Sequence, residues 1–412
     1  MEKTVQNASR DYEFSAVQDD GRRGMWSMLI IMLGFSFFSA SMWAGGTIGS
    51  ALTSPAFIAA VLLGNLLLSC YTGLLAYIAG KTHLSTHLLA HYSFGRKGSY
   101  LPSLLLAVTQ TGWFGVGVAM FAVPVSKLFP EVPLWILVWG AGLLMTSTAY
   151  FGIRALAWLS AVAVPAIIIL GCMSMQMAIN DFGGWREWLE VVPEAEPMSL
   201  MTAVGLVVAS FISGGTLTPD FVRFSRNAKI SVTSTVVAFF IGNSLMFLFG
   251  AVGAALYQLN DISEVLFRQG LIVFGIIVLG LNIWTTNDNA IYASGLGLSN
   301  VFKLPKRYMV LVISIVGTAS AIFLYNNFVD WLNVLNAMLP SIGAVIIADY
   351  FIHRSRYTDP SYRFSELNVG AVAAWFVGVV CALTLPGIAC VNSVVASIVV
   401  YVLWSRFAGN KR

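Results

Sequence analysis

Six polar side chains crowd one apolar stretch, LNIWTTNDNA (281–290): Asn282, Thr285, Thr286, Asn287, Asp288 and Asn289. On a helix, Asn282, Thr285, Thr286 and Asn289 fall at i, i+3, i+4 and i+7, which is one face. The carbonyl of Asn282 and the hydroxyls of Thr285 and Thr286 then offer three neutral oxygens converging on one point. The carbonyls of Gly34 and Phe37, three residues apart, can supply two more wherever their own helix unwinds. Five hard, neutral oxygens suit a small alkali cation. The competing reading is that a Thr-Thr pair in a membrane helix bonds back to its own carbonyls; the neighbouring Asn run and a broken partner helix favour the ion.

A second constellation lies in TQTGWFGVG, where Gln110 and Trp113 share a helical face, and in SFISGGT, which carries Ser210, Phe211 and Ser213. Taken singly, these are a packing aromatic and interhelical hydrogen-bonding groups. Together, two rings can sandwich a flat molecule while a carboxamide and hydroxyls read its edge. No Lys or Arg falls in the interior of an apolar segment to hold a carboxylate or phosphate. The expected ligand is therefore neutral, planar and rich in donors and acceptors, as a nucleobase is, and an amide matches the paired donor and acceptor of the cytosine edge.

Asp288 reads as the intramembrane acid, and such a residue is functional by default. It lies off the Asn282–Thr286 face, so a gate or structural contact competes with a proton-carrying role. His83, His87 and His91 run at i, i+4 and i+8 in a short connector, with no cysteine or acid to complete a metal site. They are expected on an exposed face. Cys70, Cys172, Cys381 and Cys390 have no metal-like spacing and read as packing residues.

The elements that must position these groups follow from composition. Of 412 residues, 58% are hydrophobic and 10% charged, with a mean hydropathy of +0.79. A soluble domain carries about a quarter charged residues, so a soluble enzyme, a disulfide scaffold and a nucleic-acid binder are excluded. Twelve apolar segments of bilayer-spanning length are expected at about 25–51, 55–80, 98–126, 132–149, 154–178, 198–217, 230–257, 267–295, 308–325, 328–350, 367–385 and 388–407. Residues 1–24 read as a polar cytoplasmic tail. With that tail inside, twenty of the 23 Lys and Arg residues fall on the cytoplasmic side, and only Lys127, Arg186 and Arg268 outside. That asymmetry places both termini in the cytoplasm.

The chain also repeats itself. Ser-Phe-x-Ser followed by Gly-Gly-Thr occurs from Ser36 and again from Ser210, and LLGNLLLSCYTG from Leu62 is echoed by FIGNSLMFLFGA from Phe240. Segments 3 and 8 each carry a mid-span Trp, Trp113 and Trp284. Five segments per half invert the second copy in the membrane. The expectation is an all-α polytopic membrane protein with a 5+5 inverted repeat. Segments 1 and 6 should be discontinuous, since dense Ser and Gly weaken a helix at a depth where irregular backbone survives only beside a cavity. The transport core is expected over 25–351, with repeats at about 25–178 and 198–351. Two accessory helices and a short cytoplasmic end would follow over 352–412.

SFFSASMWAGGTIG, THLLAHYSFGRKGSYLPSLLLAVTQTGWFGVGVAMFA, SFISGGTLTPDFVRFSRNAK, GLNIWTTNDNAIYASGLG and GAVIIADYF closely resemble the nucleobase–cation symporter-1 family, over about 25–355 and more weakly beyond. The resemblance implies a LeuT-like fold and secondary active import of cytosine with Na+ across a bacterial inner membrane. It places base binding on Gln110, Trp113, Ser210, Phe211, Ser213 and Asn282. The cation would be held by backbone oxygens of Gly34, Phe37 and Asn282 and the hydroxyls of Thr285 and Thr286. No cofactor beyond the coupling ion, no nucleic-acid partner and a monomer in the lipid bilayer are expected. No HExxH, GxSxG or paired intramembrane carboxylates support the rival reading of an intramembrane enzyme.

Overall fold

The computed structural model describes residues 12–151, 153–193, 196–259, 262–327, 331, 334–335, 337–359 and 361–409. Among these, regular structure is helical, apart from an isolated bridge between Arg23 and Ser225. In chain order the helices are α1 (Met25–Ser36), α2 (Ser39–Ala51), α3 (Ser54–Thr82), α4 (Thr86–Phe94), α5 (Tyr100–Leu128), α6 (Leu134–Phe151) and α7 (Ile153–Asp181). There follow α8 (Trp185–Glu190), α9 (Leu200–Thr216), α10 (Thr218–Val222), α11 (Ala228–Val236) and α12 (Asn243–Tyr257), the last two joined by a π-helical turn. The chain ends with α13 (Ile262–Arg268), α14 (Ile272–Phe302), α15 (Lys306–Asn326), α16 (Pro340–Ile352), α17 (Val369–Thr384) and α18 (Ala389–Gly409).

Helices dominate because a chain in hydrocarbon must satisfy its backbone internally. Four of their starts carry side-chain caps: Ser85, Ser199, Asn227 and Asn368 each accept an N–H of the first turn. Each of the twelve expected segments overlaps a helix. Seven helices among the described residues are long and apolar enough to cross a bilayer, or eight if α1 and α2 form one bent span. The 31-residue α14 has the length; its polar run keeps it outside that class.

The first interruption is sharp. α1 and α2 meet at a 53° bend, with Phe37 and Phe38 in extended conformation between them. The second lies elsewhere than the Ser/Gly density suggests. α9 runs unbroken through Ser210, Ser213, Gly214 and Gly215, and the helix yields only at Leu217, whose N–H bonds the carbonyls of Gly214 and Gly215. Pro219, in the first turn of α10, fits that restart because its missing N–H has no helical partner there.

Packing repeats with the sequence: α2 lies along α12, and α9 lies along α3. The first contact is backbone to backbone, since a Cβ on Gly45 would sit 2.2 Å from the carbonyl of Phe247. Between the two pairs, Asn243 donates to Asn65 at 2.8 Å, joining two fully buried residues that occupy matching places in the repeat. Part of the expected tail is anchored to the helices. Val17 is buried, its N–H bonds the carbonyl of His83, and Arg223 donates to the carbonyl of Tyr12.

Candidate functional site

The break between α1 and α2 exposes backbone groups in the protein interior, and one side chain of α14 takes up both sides. The Ser39 N–H donates to Asn282 Oδ1 at 2.8 Å, while Asn282 Nδ2 donates to the carbonyl of Phe37 at 3.0 Å. Asn282 is fully buried. Leaving either backbone group unpaired there would cost about 1–3 kcal/mol, so α14 and the break define each other.

Around this bridge lie the oxygens singled out for a cation. Thr286 Oγ1 stands 3.2 Å from the Phe37 carbonyl and 3.3 Å from that of Asn282, and Thr285 Oγ1 stands 2.8 Å from the Asn282 carbonyl. The back-bonding reading of the Thr pair is thus the arrangement observed, and the same bonds gather four of the five oxygens. Gly34, the fifth residue expected there, precedes the break by three residues, and Phe38, which would be its helical partner, is in extended conformation. A Cβ on Gly34 would lie 2.2 Å from Ser160 Oγ, which brings a buried α7 hydroxyl beside this position. No acid enters the group.

The adjoining pocket is lined by Phe35 and Phe38 from the broken helix pair, Gln110 and Trp113 from α5, Ser210, Phe211, Ser213 and Gly214 from α9, and Thr286, Asn287 and Ala290 from α14. The space between its atoms, counting what opens to solvent, is about 300 Å³. Gln110 is 2% exposed and its Nε2 has no hydrogen-bond partner in the protein. Trp113 Nε1 donates to Ser213 Oγ at 2.8 Å, and Ser210 Oγ donates to the Val207 carbonyl at 2.8 Å. Ser213 therefore keeps a proton to donate, Ser210 keeps lone pairs to accept, and Gln110 offers an unused donor. The aromatic wall is broader than two rings: Phe38 meets Trp113 edge-on at 5.6 Å, and Phe35 meets Phe211 edge-on at 5.3 Å.

Five of the expected base-site residues, Gln110, Trp113, Ser210, Phe211 and Ser213, thus surround one space. Asn282 does not line it; its carboxamide is engaged at the break, and Thr286 and Asn287 present α14 instead. Thr286 belongs to both places, with its hydroxyl among the cation oxygens and its side chain on the pocket wall. Phe35, Phe38 and Asn287 were not singled out from sequence. Aromatics in an apolar helix carry no signal, but Asn287 was visible within the polar run.

Asp288 points away from the pocket. Thr148 of α6 donates to it at 2.6 Å, and Trp284 Nε1 donates in turn to Thr148. It is also not alone, since Asp220 and Asp349 are equally buried. The histidines depart from expectation. His87 is 2% exposed, with Nδ1 3.1 Å from Ser103 Oγ and Nε2 3.5 Å from Asp220. His91 Nε2 meets Asn300 Oδ1 at 2.7 Å. The apparent metal spacing instead pins α4 onto α5, α10 and α14. Burial, aided by nearby Lys303 and Arg96, lowers His91 to about 4 despite its bond to Asn300.

A bundle of apolar helices of bilayer-spanning length, with a broken span and an uncharged pocket at the break, has the architecture of a membrane transporter. A family described as permeases for cytosine/purines, uracil, thiamine and allantoin matches residues 16–404. The match runs past residue 355, across α17 and most of α18. The cytosine permease of Escherichia coli K12 is 51% identical over 406 residues, covering 98% of this chain and 96% of its own. The chain belongs to this permease family, the nucleobase–cation symporter-1 family. Among solved structures, Mhp1, a transporter of that family in a closed conformation with bromovinylhydantoin bound, superposes with a TM-score of 0.83 at 21% identity, covering 96% of this chain and 95% of that one. A Na+-coupled sialic acid symporter gives a TM-score of 0.74 at 12% identity over 98% and 93% of the two chains. The LeuT-like inverted-repeat fold is therefore that of this chain.

Proposed function

We propose that this protein imports cytosine together with Na+ by alternating access across a bacterial cytoplasmic membrane, with both termini inside. The observation that carries the reading is the shared position of Thr286, which joins a neutral oxygen nest to an uncharged aromatic pocket containing an unused Gln110 donor. The identity with the Escherichia coli cytosine permease supports the choice of base.

Na+ would sit among the carbonyls of Gly34, Phe37 and Asn282 and the hydroxyls of Thr285 and Thr286. Held there, it ties the broken span to α14 and fixes Thr286 and Phe38 against the pocket. Cytosine would lie beside Trp113 and Phe211 with its polar edge toward Gln110, Ser210 and Ser213. Ion and base are then coupled by differential affinity, each binding more tightly to the state that the other favours. Release of Na+ into a Na+-poor cytoplasm loosens the base site and completes the cycle.

Uptake of labelled cytosine with and without a Na+ gradient, competed by uracil, adenine and hydantoins, tests the reading. Na+-dependent accumulation displaced best by cytosine is expected, and Gln110→Ala should abolish base binding by leaving the base edge unpaired in a dry site. Better displacement by another base would reassign the cargo. Uptake that persists without Na+ and is lost in Asp288→Asn would replace Na+ by a proton.

A further inference from the structure

On the outward face of α3, α9, α16 and α18 runs an apolar groove separate from the transport pocket. Its walls include Leu67, Leu74, Val395 and Ile398, and its space of about 670 Å³ is more than twice that of the base pocket. Leu67, Leu74 and Val395 are 39–55% exposed, so the groove opens where the bilayer is the solvent. Its inner wall is Tyr71, whose hydroxyl meets Thr216 Oγ1 at 2.8 Å and the Pro340 carbonyl at 3.3 Å. Those two residues stand at the end of α9, one residue before its break, and at the start of α16.

One end of the groove carries charge. From Leu74, α3 continues one turn to Tyr77 and a further turn to Lys81; from Ile347, α16 continues to Tyr350 and Phe351, and Arg354 opens the 3-10 turn just beyond its end. Lys81 Nζ lies 6.0 Å from the Tyr77 ring, Arg354 donates to the Tyr77 hydroxyl at 3.4 Å, and Tyr77 stacks on Phe351 at 6.3 Å. Both cations are exposed. An apolar slot leading to an aromatic rim with two exposed cations has the polarity of one lipid: chain in the slot, ring at the headgroup level, anion on the cations.

We propose that this groove is a site for an anionic phospholipid, with an acyl chain against Tyr71 and the phosphate held by Lys81 and Arg354. Assigning it to the cytoplasmic leaflet rests on the orientation proposed above; the site itself requires only that the chain spans a membrane. Through Tyr71 the bound chain bears on the α9 break and on the start of α16.

Binding of phosphatidylglycerol and phosphatidylcholine of identical chains to purified full-length protein, followed by native mass spectrometry, tests this independently of cargo and coupling. The wild-type protein is expected to prefer phosphatidylglycerol about tenfold. The double variant Lys81→Gln/Arg354→Gln should bring the two lipids within about twofold of each other. Val395→Trp, which fills the groove from its lipid side, should weaken both lipids several-fold while keeping the preference. Inorganic phosphate at millimolar concentration should not compete. Equal binding of the two lipids to wild type, an undiminished preference in the double variant, unaltered binding in Val395→Trp, or displacement by phosphate alone would each overturn the proposal.

Discussion

Two stretches of almost the same sequence behave differently. Ser36-Phe37-Phe38-Ser39 is where the first span comes apart, whereas Ser210-Phe211-Ile212-Ser213, its counterpart in the second half, is uninterrupted helix. The difference lies in what each faces. Asn282 stands two residues before Trp284 and replaces the helical bonds that Phe37 and Ser39 give up. The matching place before Trp113 is Thr111, which bonds to the carbonyl of Ala107 in its own helix and meets Ser294 at 3.1 Å. It has no carboxamide to offer. A Ser/Gly-rich stretch gives permission to unwind, and a polar partner on another helix decides whether it does.

Asn282→Ala should therefore have the largest effect, because it removes the feature that distinguishes the two stretches. Two buried backbone groups lose their partner, and a loss of about 2–4 kcal/mol follows, read as a lowered Tm in detergent together with abolished cytosine uptake. Near-normal stability would mean that the first break persists without its bridge. Trp113→Ala acts on the intact side, freeing Ser213 and removing a stacking surface. The half-saturating base concentration should rise about tenfold or more, from the 1–3 kcal/mol typical of base stacking. Thr285→Ala leaves the bridge in place and takes away one ion oxygen. It should shift the Na+ concentration for half-activation several-fold while sparing base affinity at saturating Na+, and an unmoved Na+ dependence would remove Thr285 from the ion site.

The smallest effect concerns the connector that holds the second break from outside. His91 is lowered in the folded protein to about 4, below an unperturbed value of about 6.5. The unfolded chain therefore binds the extra proton first, and stability falls as pH drops from about 6.5 towards 4. His91→Gln, which retains a hydrogen-bonding group for Asn300, should flatten part of that acid limb in a Tm-against-pH series and change little at pH 7.

What could be read from sequence was whatever opposed the hydrocarbon setting. Gln110, the Asn/Thr run and the Ser pairs stood out because each is expensive in an apolar helix unless it is used, and the structure gathers them at two adjoining places. The residues that escaped were those whose role depends on a distant partner. Phe35 and Phe38 line the pocket only because the chain turns at their position, and Asn282 meets Ser39 across 243 residues. The histidines at fourfold spacing suggested an exposed stripe, yet His87 is buried against Ser103 and Asp220, and His91 is half-buried on Asn300. Local pattern showed which residues needed explanation and left their partners to be found in three dimensions.

The bond between Asn65 and Asn243 has a geometric corollary. A residue joined to its own image under an internal twofold must sit where that axis pierces the molecule, and points on an axis travel least when two related halves trade conformations. On the alternating-access reading proposed above, the amide pair is therefore a still centre. Spin labels placed next to it should report nearly constant separations through a transport cycle, while labels at the rims swing apart and together.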